Sequence, residues 1–186
     1  MHRSLVSTLF GLALLAGASL AQAAPTVIVS PQPLPHDGRT KVFLAGSIDM
    51  GKAVDWQKQL IDALADTNVV ILNPRRTDWN PAWKAELNDE HFAQQVNWEL
   101  SALDQADVVV MYLAPGSHSP VSLMELGLHA RSGKVIVLCP EGYWRKGNVD
   151  AVAARYQVEQ ADSMDDLLRR LRKRLQAAPG RRAPGA

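Results

Sequence analysis

Apolar residues along the chain change their period several times, and each change marks an element. Lys41-Val42-Phe43-Leu44-Ala45-Gly46 is a short, nearly unbroken apolar run, the pattern of a strand covered on both faces. Trp56, Leu60, Ile61 and Leu64 then fall at helical spacing across residues 52–66. Asn68-Val69-Val70-Ile71-Leu72 predicts a second strand, and Phe92, Val96, Leu100 and Leu103 mark a second helix. A third strand runs from Asp107 to Leu113 and a third helix from about Pro120 to Arg131, with Gly133 as punctuation before a fourth strand at Val135–Cys139. Tyr156-Gln157-Val158 is a candidate fifth strand, and Met164, Leu167, Leu168, Leu171 and Leu175 predict a last amphipathic helix. The alternation predicts a flavodoxin-like α/β three-layer sandwich: about five parallel strands in order 2-1-3-4-5, with helices on both faces.

The ends read differently. His2 and Arg3, the apolar run Leu9–Leu15 and the small residues Ala21-Gln22-Ala23 have the three-part form of a secretory signal over residues 1–23. A membrane anchor is the competing reading, but Gly11, Gly17 and Ser19 break a run already shorter than the roughly 20 residues a bilayer requires. Export to a periplasm, or secretion in a cell without one, is the expectation. Cys139 is the sole cysteine, so no intrachain disulfide can form. Residues 24–40, with Pro25, Pro31, Pro33 and Pro35, predict an extended arm with one short strand at Val27-Ile28-Val29. The domain proper is expected over 41–176, and a disordered tail over 177–186.

Charge narrows the ligand class. The chain has 20 Lys and Arg against 19 Asp and Glu; losing residues 1–23 removes Arg3 and no acid, which leaves a neutral protein. Bulk electrostatics therefore disfavour a nucleic acid polymer and favour a small molecule.

In the predicted strand order, the crevice forms beyond the carboxyl ends of the strands at 41–46 and 107–113. Two loops open there, Gly46-Ser47-Ile48-Asp49-Met50-Gly51 and Ala114 to Pro120, and so does the start of the helix after the second loop. Glu125, the only charge between Ser119 and Leu128, lies on that helix between Val121 and Leu128 and is expected to be desolvated by them. It is the candidate nucleophile, with Ser122 or Ser47 as donors to offset the cost of burial. Gly46 and Ser47 offer a close backbone and a hydroxyl to an anion or sugar. Arg75 and Arg76 sit at the same edge of the sheet, and two readings are open for them: a phosphate clamp or a solvated charge pair. Trp144 and Asn148 belong to a loop able to stack on a base. Asn97 or Glu99 reaches the crevice if its helix points that way. Asp107 reads from geometry as a boundary acid at the far end of the sheet. His118 and His129 have no second ligand at metal spacing, so neither a metal nor another cofactor is expected.

Val42–Ile48, Ala106–Val110 and Ser119–Gly127, with Asn73-Pro74-Arg75-Arg76, Phe92–Leu100 and Cys139–Asp150, resemble the nucleoside 2-deoxyribosyltransferase superfamily, and its transferase-like branch in particular. The resemblance spans about residues 41–175. It implies that Glu125 attacks C1′ of a nucleoside or nucleotide, that Asp107 serves in the active site, and that Gly46 and Ser47 contact the sugar or its 5′-phosphate. Asp107 or Asp49 would protonate the departing base. It also implies a homo-oligomer. Two positions depart from the family pattern: Phe43 replaces a tyrosine that supports the nucleophile, and Ser119 replaces an acid that handles the base. The expected activity is cleavage or exchange of an N-glycosidic bond through a glycosyl-glutamate. The alternatives are a degenerate nucleotide-binding protein and an exported effector acting on a nucleotide cofactor.

Overall fold

The computed structural model describes residues 24–49 and 53–177. The proposed signal at 1–23, the loop residues Met50, Gly51 and Lys52, and the tail from 178 onward lie outside the described residues. No helix among the described residues is long and apolar enough to cross a membrane. Six parallel strands form one sheet: β1 (Thr26–Val29), β2 (Lys41–Gly46), β3 (Val70–Asn73), β4 (Val108–Tyr112), β5 (Val135–Leu138) and β6 (Glu159–Ala161). Five helices connect or follow them: α1 (Trp56–Ala63), α2 (Glu90–Gln105), α3 (Pro120–His129), α4 (Lys146–Tyr156) and α5 (Met164–Ala177).

The strand order is β1-β3-β2-β4-β5-β6. With β1 set aside, this is the flavodoxin-like order that the hydrophobic pattern predicts. β1 adds a strand at the edge by pairing in parallel with β3, from Thr26 opposite Val70 to Val29 opposite Asn73. The proline-rich arm thus contributes to the sheet itself. A second difference concerns the segment after β5. The expected loop around Trp144 and Asn148 runs into a helix, and the candidate strand at Tyr156–Val158 becomes the end of that helix, so the last strand begins at Glu159. Only Val149 and Ala153 of α4 are buried, too narrow an apolar stripe to register as a helical period. Gln157, with φ of 57°, terminates α4 in the left-handed region.

Alternation along the strands divides the core into two layers. Phe43, Val109, Met111 and Val137 face α2, α3 and α4, where Trp98, Leu103, Leu126 and Val149 meet them. Leu44, Val110 and Ile136 face the opposite way, onto Trp56 and Leu60 of α1 and Leu167 and Leu171 of α5. Two different helix layers therefore stand on either side of the β2–β4 pair, whose carboxyl ends carry the loops of interest.

At that edge Gly46 closes β2 under tight constraint. Its φ is 129°, and a Cβ added there would lie 2.2 Å from the Tyr112 carbonyl oxygen on β4. The close approach lets Ser47 N–H donate to the same carbonyl at 2.8 Å. Gly46 serves the junction of two strands, which accounts for the glycine without any ligand. Gly46→Ala is expected to cost on the order of 2–4 kcal/mol through clash and backbone strain, read as a lower urea midpoint at unchanged slope; a midpoint equal to the parent's would contradict the close packing described.

Candidate active site

α3 is entered through Ser119, which has φ of 42° and makes no side-chain cap to the helix. Serine ordinarily caps through its hydroxyl, but here the hydroxyl is engaged elsewhere. Ser47, Ser117 and Ser119 form a triangle, with oxygen separations of 2.6 Å for Ser47–Ser117, 2.7 Å for Ser47–Ser119 and 2.6 Å for Ser117–Ser119. Ala114 N–H donates to Ser47 Oγ at 2.8 Å, and Trp56 Nε1–H donates to the Ser47 carbonyl at 3.0 Å. Each hydroxyl has one proton to give, and a ring of three consumes all of them. Ser47 is fully buried, and Ser119 nearly so. The structure therefore assigns the hydroxyls of both serines to fastening the β2 loop to the β4–α3 loop.

This fastening sets the rotation of α3. Ser122, Glu125 and Leu126 face inward, whereas Val121, Met124 and Leu128 are exposed on the outer side. The side chains expected to desolvate Glu125 thus point away from the core, because Val121 and Leu128 fall on the outward stripe of the helix. Glu125 is 8 % exposed nonetheless, and it makes no hydrogen bond or ion pair with the described residues. The donors expected from Ser122 and Ser47 do not reach it. Burial, followed by the negative charge of Glu99, pushes its pKa up to about 8.

Glu99 is the residue that sequence reasoning underrated. It lies on α2 one turn after Gln95, on the stripe with Trp98, Ala102 and Leu103 that faces the sheet. Its pKa is raised by burial and partly restored by a hydrogen bond from Gln95 Nε2 at 2.9 Å. The spacing Gln95–Glu99–Leu103 carried the signal, since residues four apart share a helix face. Asn97 falls on the exposed side of the same helix, so it is not brought to Glu125.

The other candidates disperse. Asp107 binds the start of β2: Lys41 N–H donates to its Oδ2 at 2.9 Å, and its own N–H donates to the Lys41 carbonyl at 2.9 Å. It stands at the amino end of β4, a strand length on the order of 17 Å from the crevice edge. Its position is the one the geometric reading gave it, at the end of the sheet opposite the crevice. Asp49 lies at the correct edge, with φ of 47°, and its charge is felt by Tyr143 in the loop after β5. Glu99, and not Asp49, is the carboxyl whose charge acts on Glu125.

Both arginines of the pair are engaged by protein groups. Arg75 donates to the Ala53 carbonyl at 3.1 Å and to Gln57 Oε1 at 3.4 Å, binding the loop after β3 to the start of α1. Arg76 grips Asp78 with two bonds of 2.8 and 2.9 Å, and its guanidinium lies 5.0 Å from the centre of the Trp83 ring. Its side chain is 6 % exposed, so it is not solvated, and its charge is committed to Asp78, whose pKa falls to about 2. Trp144 donates through Nε1 to the His118 carbonyl at 3.0 Å, and Arg145 covers its ring. With Asn148 it borders a cavity of about 290 Å³ between α3 and α4. The α3 residues lining that cavity are Leu123, Leu126 and Gly127, and Glu125 is not among them. Among the described residues no group of three or more His, Cys, Asp or Glu side chains is arranged to hold a metal ion.

The crevice edge of the β2–β4 pair therefore holds two inward carboxyls, Glu125 and Glu99. A profile described as "Nucleoside 2-deoxyribosyltransferase like" matches residues 39–143, a span that contains both. The chain belongs to this family. Comparison with curated protein sequences gives no match. Among solved structures, the chain is similar to a "conserved protein from Enterococcus faecalis V583", with 15 % identity, a TM-score of 0.53, and coverage of 73 % of this chain and 99 % of that one. At that identity the likeness concerns the fold. In this nucleoside 2-deoxyribosyltransferase-like domain, Phe43 packs against Trp98 with ring centroids 6.3 Å apart and is fully buried.

The raised pKa of Glu125 has a thermodynamic signature. The folded protein holds the Glu125 proton up to about pH 8 and the unfolded chain releases it near 4.5, so stability associated with this group is intact below 4.5 and is lost as pH rises to about 8. Glu125→Gln is accordingly expected to match the parent in stability at pH 4 and to exceed it at pH 9 by on the order of a few kcal/mol. Melting curves at the two pH values check this, and an equal difference at both would contradict it.

Proposed function

We propose that this protein cleaves or exchanges the N-glycosidic bond of a nucleoside or nucleotide, with Glu125 as nucleophile and Glu99 as the proton donor. The observation that carries the reading is a buried carboxyl with no hydrogen bond or ion pair among the described residues, beside a second, half-buried carboxyl, at the switch point of a chain in this family. In the free protein at neutral pH the raised pKa keeps a proton on Glu125. Attack requires that proton to pass to Glu99 when substrate arrives. The Glu125 carboxylate then bonds to C1′, the C1′–N electron pair leaves with the base, and Glu99 delivers its proton to the base nitrogen. Water, deprotonated by Glu99, breaks the glycosyl ester in a hydrolase; an incoming base does so in a transferase.

One observation favours a second reading. Phe43 and Ser119, the two departures from the family pattern, are both taken up by packing: one against Trp98, the other in the serine triangle. A nucleotide-binding protein without turnover is consistent with that. Export and self-association remain part of the proposal. Export rests on residues 1–23. The stripe of Val121, Met124 and Leu128, exposed by 51, 63 and 65 %, supports self-association.

The test is chromatographic detection of free base after incubating residues 24–186 with a panel of nucleosides and nucleotides. Base release is expected, with Glu125→Ala slower by several orders of magnitude. Undiminished release by Glu125→Ala would refute the nucleophile. Nucleotide that raises the melting temperature, with no base released over long incubation, would decide for the binding protein.

A further inference from the structure

We propose that Gln95, clamped by Ser30 of the N-terminal arm, is a positioning residue for Glu99, so that the arm supports the active site from outside the family-matched segment. Ser30 follows β1 and continues its pairing, its N–H donating to the Asn73 carbonyl at 3.1 Å. Its hydroxyl donates to Gln95 Oε1 at 2.6 Å. The Gln95 amide nitrogen donates in turn to the Pro74 carbonyl at 3.0 Å and to Glu99 Oε1 at 2.9 Å. Ser30 and Gln95 are both buried, at 4 and 5 % exposure.

The orientation of the amide is determined by its partners. Turning it over would set its oxygen against two groups that only accept, the Pro74 carbonyl and the Glu99 carboxylate, and would turn its NH₂ toward the Ser30 hydroxyl. The donor aimed at Glu99 is therefore held by two contacts besides the bond to Glu99 itself, those with the Ser30 hydroxyl and the Pro74 carbonyl. Two turn residues of the arm grip α2 together, since the Gln32 carbonyl accepts from Trp98 Nε1 at 2.7 Å, one turn beyond Gln95. One oxygen of Glu99 is thereby restrained, which restricts the direction in which the other can present a proton. Glu125 on α3 is the carboxyl on which the charge of Glu99 acts. The family match begins at residue 39, after Ser30.

This inference rests on Glu99 acting as described above, so the test separates the two. Gln95→Met preserves length and removes the donor; Ser30→Ala leaves the amide without its clamp; Ser30→Thr keeps the hydroxyl. Melting temperature is measured for each. The Glu99 carboxyl band is followed by infrared difference titration and assigned by its loss in Glu99→Gln, and base release is followed as a function of pH. Gln95→Met and Ser30→Ala are expected to move the Glu99 midpoint upward and to lower kcat by on the order of 10- to 100-fold, with KM within about twofold. Ser30→Thr is expected to restore both. A moved midpoint in a protein that releases no base upholds the positioning role and defeats the glycosidic reading. An unmoved midpoint in a folded, active Gln95→Met protein overturns the positioning role alone.

Discussion

Two carboxyl groups, Glu125 buried and Glu99 half-buried, lie close enough for the charge of Glu99 to oppose the ionisation of Glu125, with no cation paired to either among the described residues. Such an arrangement costs stability, and folded proteins ordinarily avoid it by pairing or hydrogen-bonding buried acids. It persists here because the surrounding contacts determine the backbone at both positions. Gly46 brings β2 against β4, the serine triangle fastens the two loops above them, and that fastening turns Glu125 inward on α3. On the other side the arm and Gln95 hold α2 so that Glu99 faces the same edge. The stability given up at the carboxyls is retained by a rigid frame, as the proposed chemistry requires.

Much of the frame was legible in the pattern of apolar residues. Strands such as Val108–Met111, in which every side chain is buried, leave no doubt about a sheet covered on both faces, and the order of the five central strands follows from their alternation with helices. α4 was not legible, because Val149 and Ala153 alone mark its inner face. Nor was the membership of β1 in the sheet, since the prolines that surround it dominate the local signal.

The site was legible only in part, for a physical reason. Residue type and position in the chain place a group near an edge, but not whether its hydrogen-bonding capacity is already used. Glu125 stood out as a lone charge in an apolar run and is indeed buried, although Val121 and Leu128, its expected cover, point outward. Ser47, Ser119, Arg75 and Arg76 sit at the predicted edge, yet each is engaged by protein partners, hydroxyl by hydroxyl and guanidinium by carboxylate or carbonyl, with Nη1 of Arg76 buried and left without a hydrogen bond. Glu99 was hidden for the opposite reason. Its neighbours Asn97 and Trp98 gave no clue to which face it occupied, and only the four-residue step from Gln95 did.

The most direct test of this account is titration of the Glu125 side-chain carboxyl by ¹³C NMR, in the parent protein and in Glu99→Gln. A midpoint near 8 in the parent, falling when the Glu99 charge is removed, is the predicted result. A midpoint close to the ordinary 4.5, indifferent to the residue at position 99, would mean that Glu125 is solvated and that no paired-carboxyl site exists.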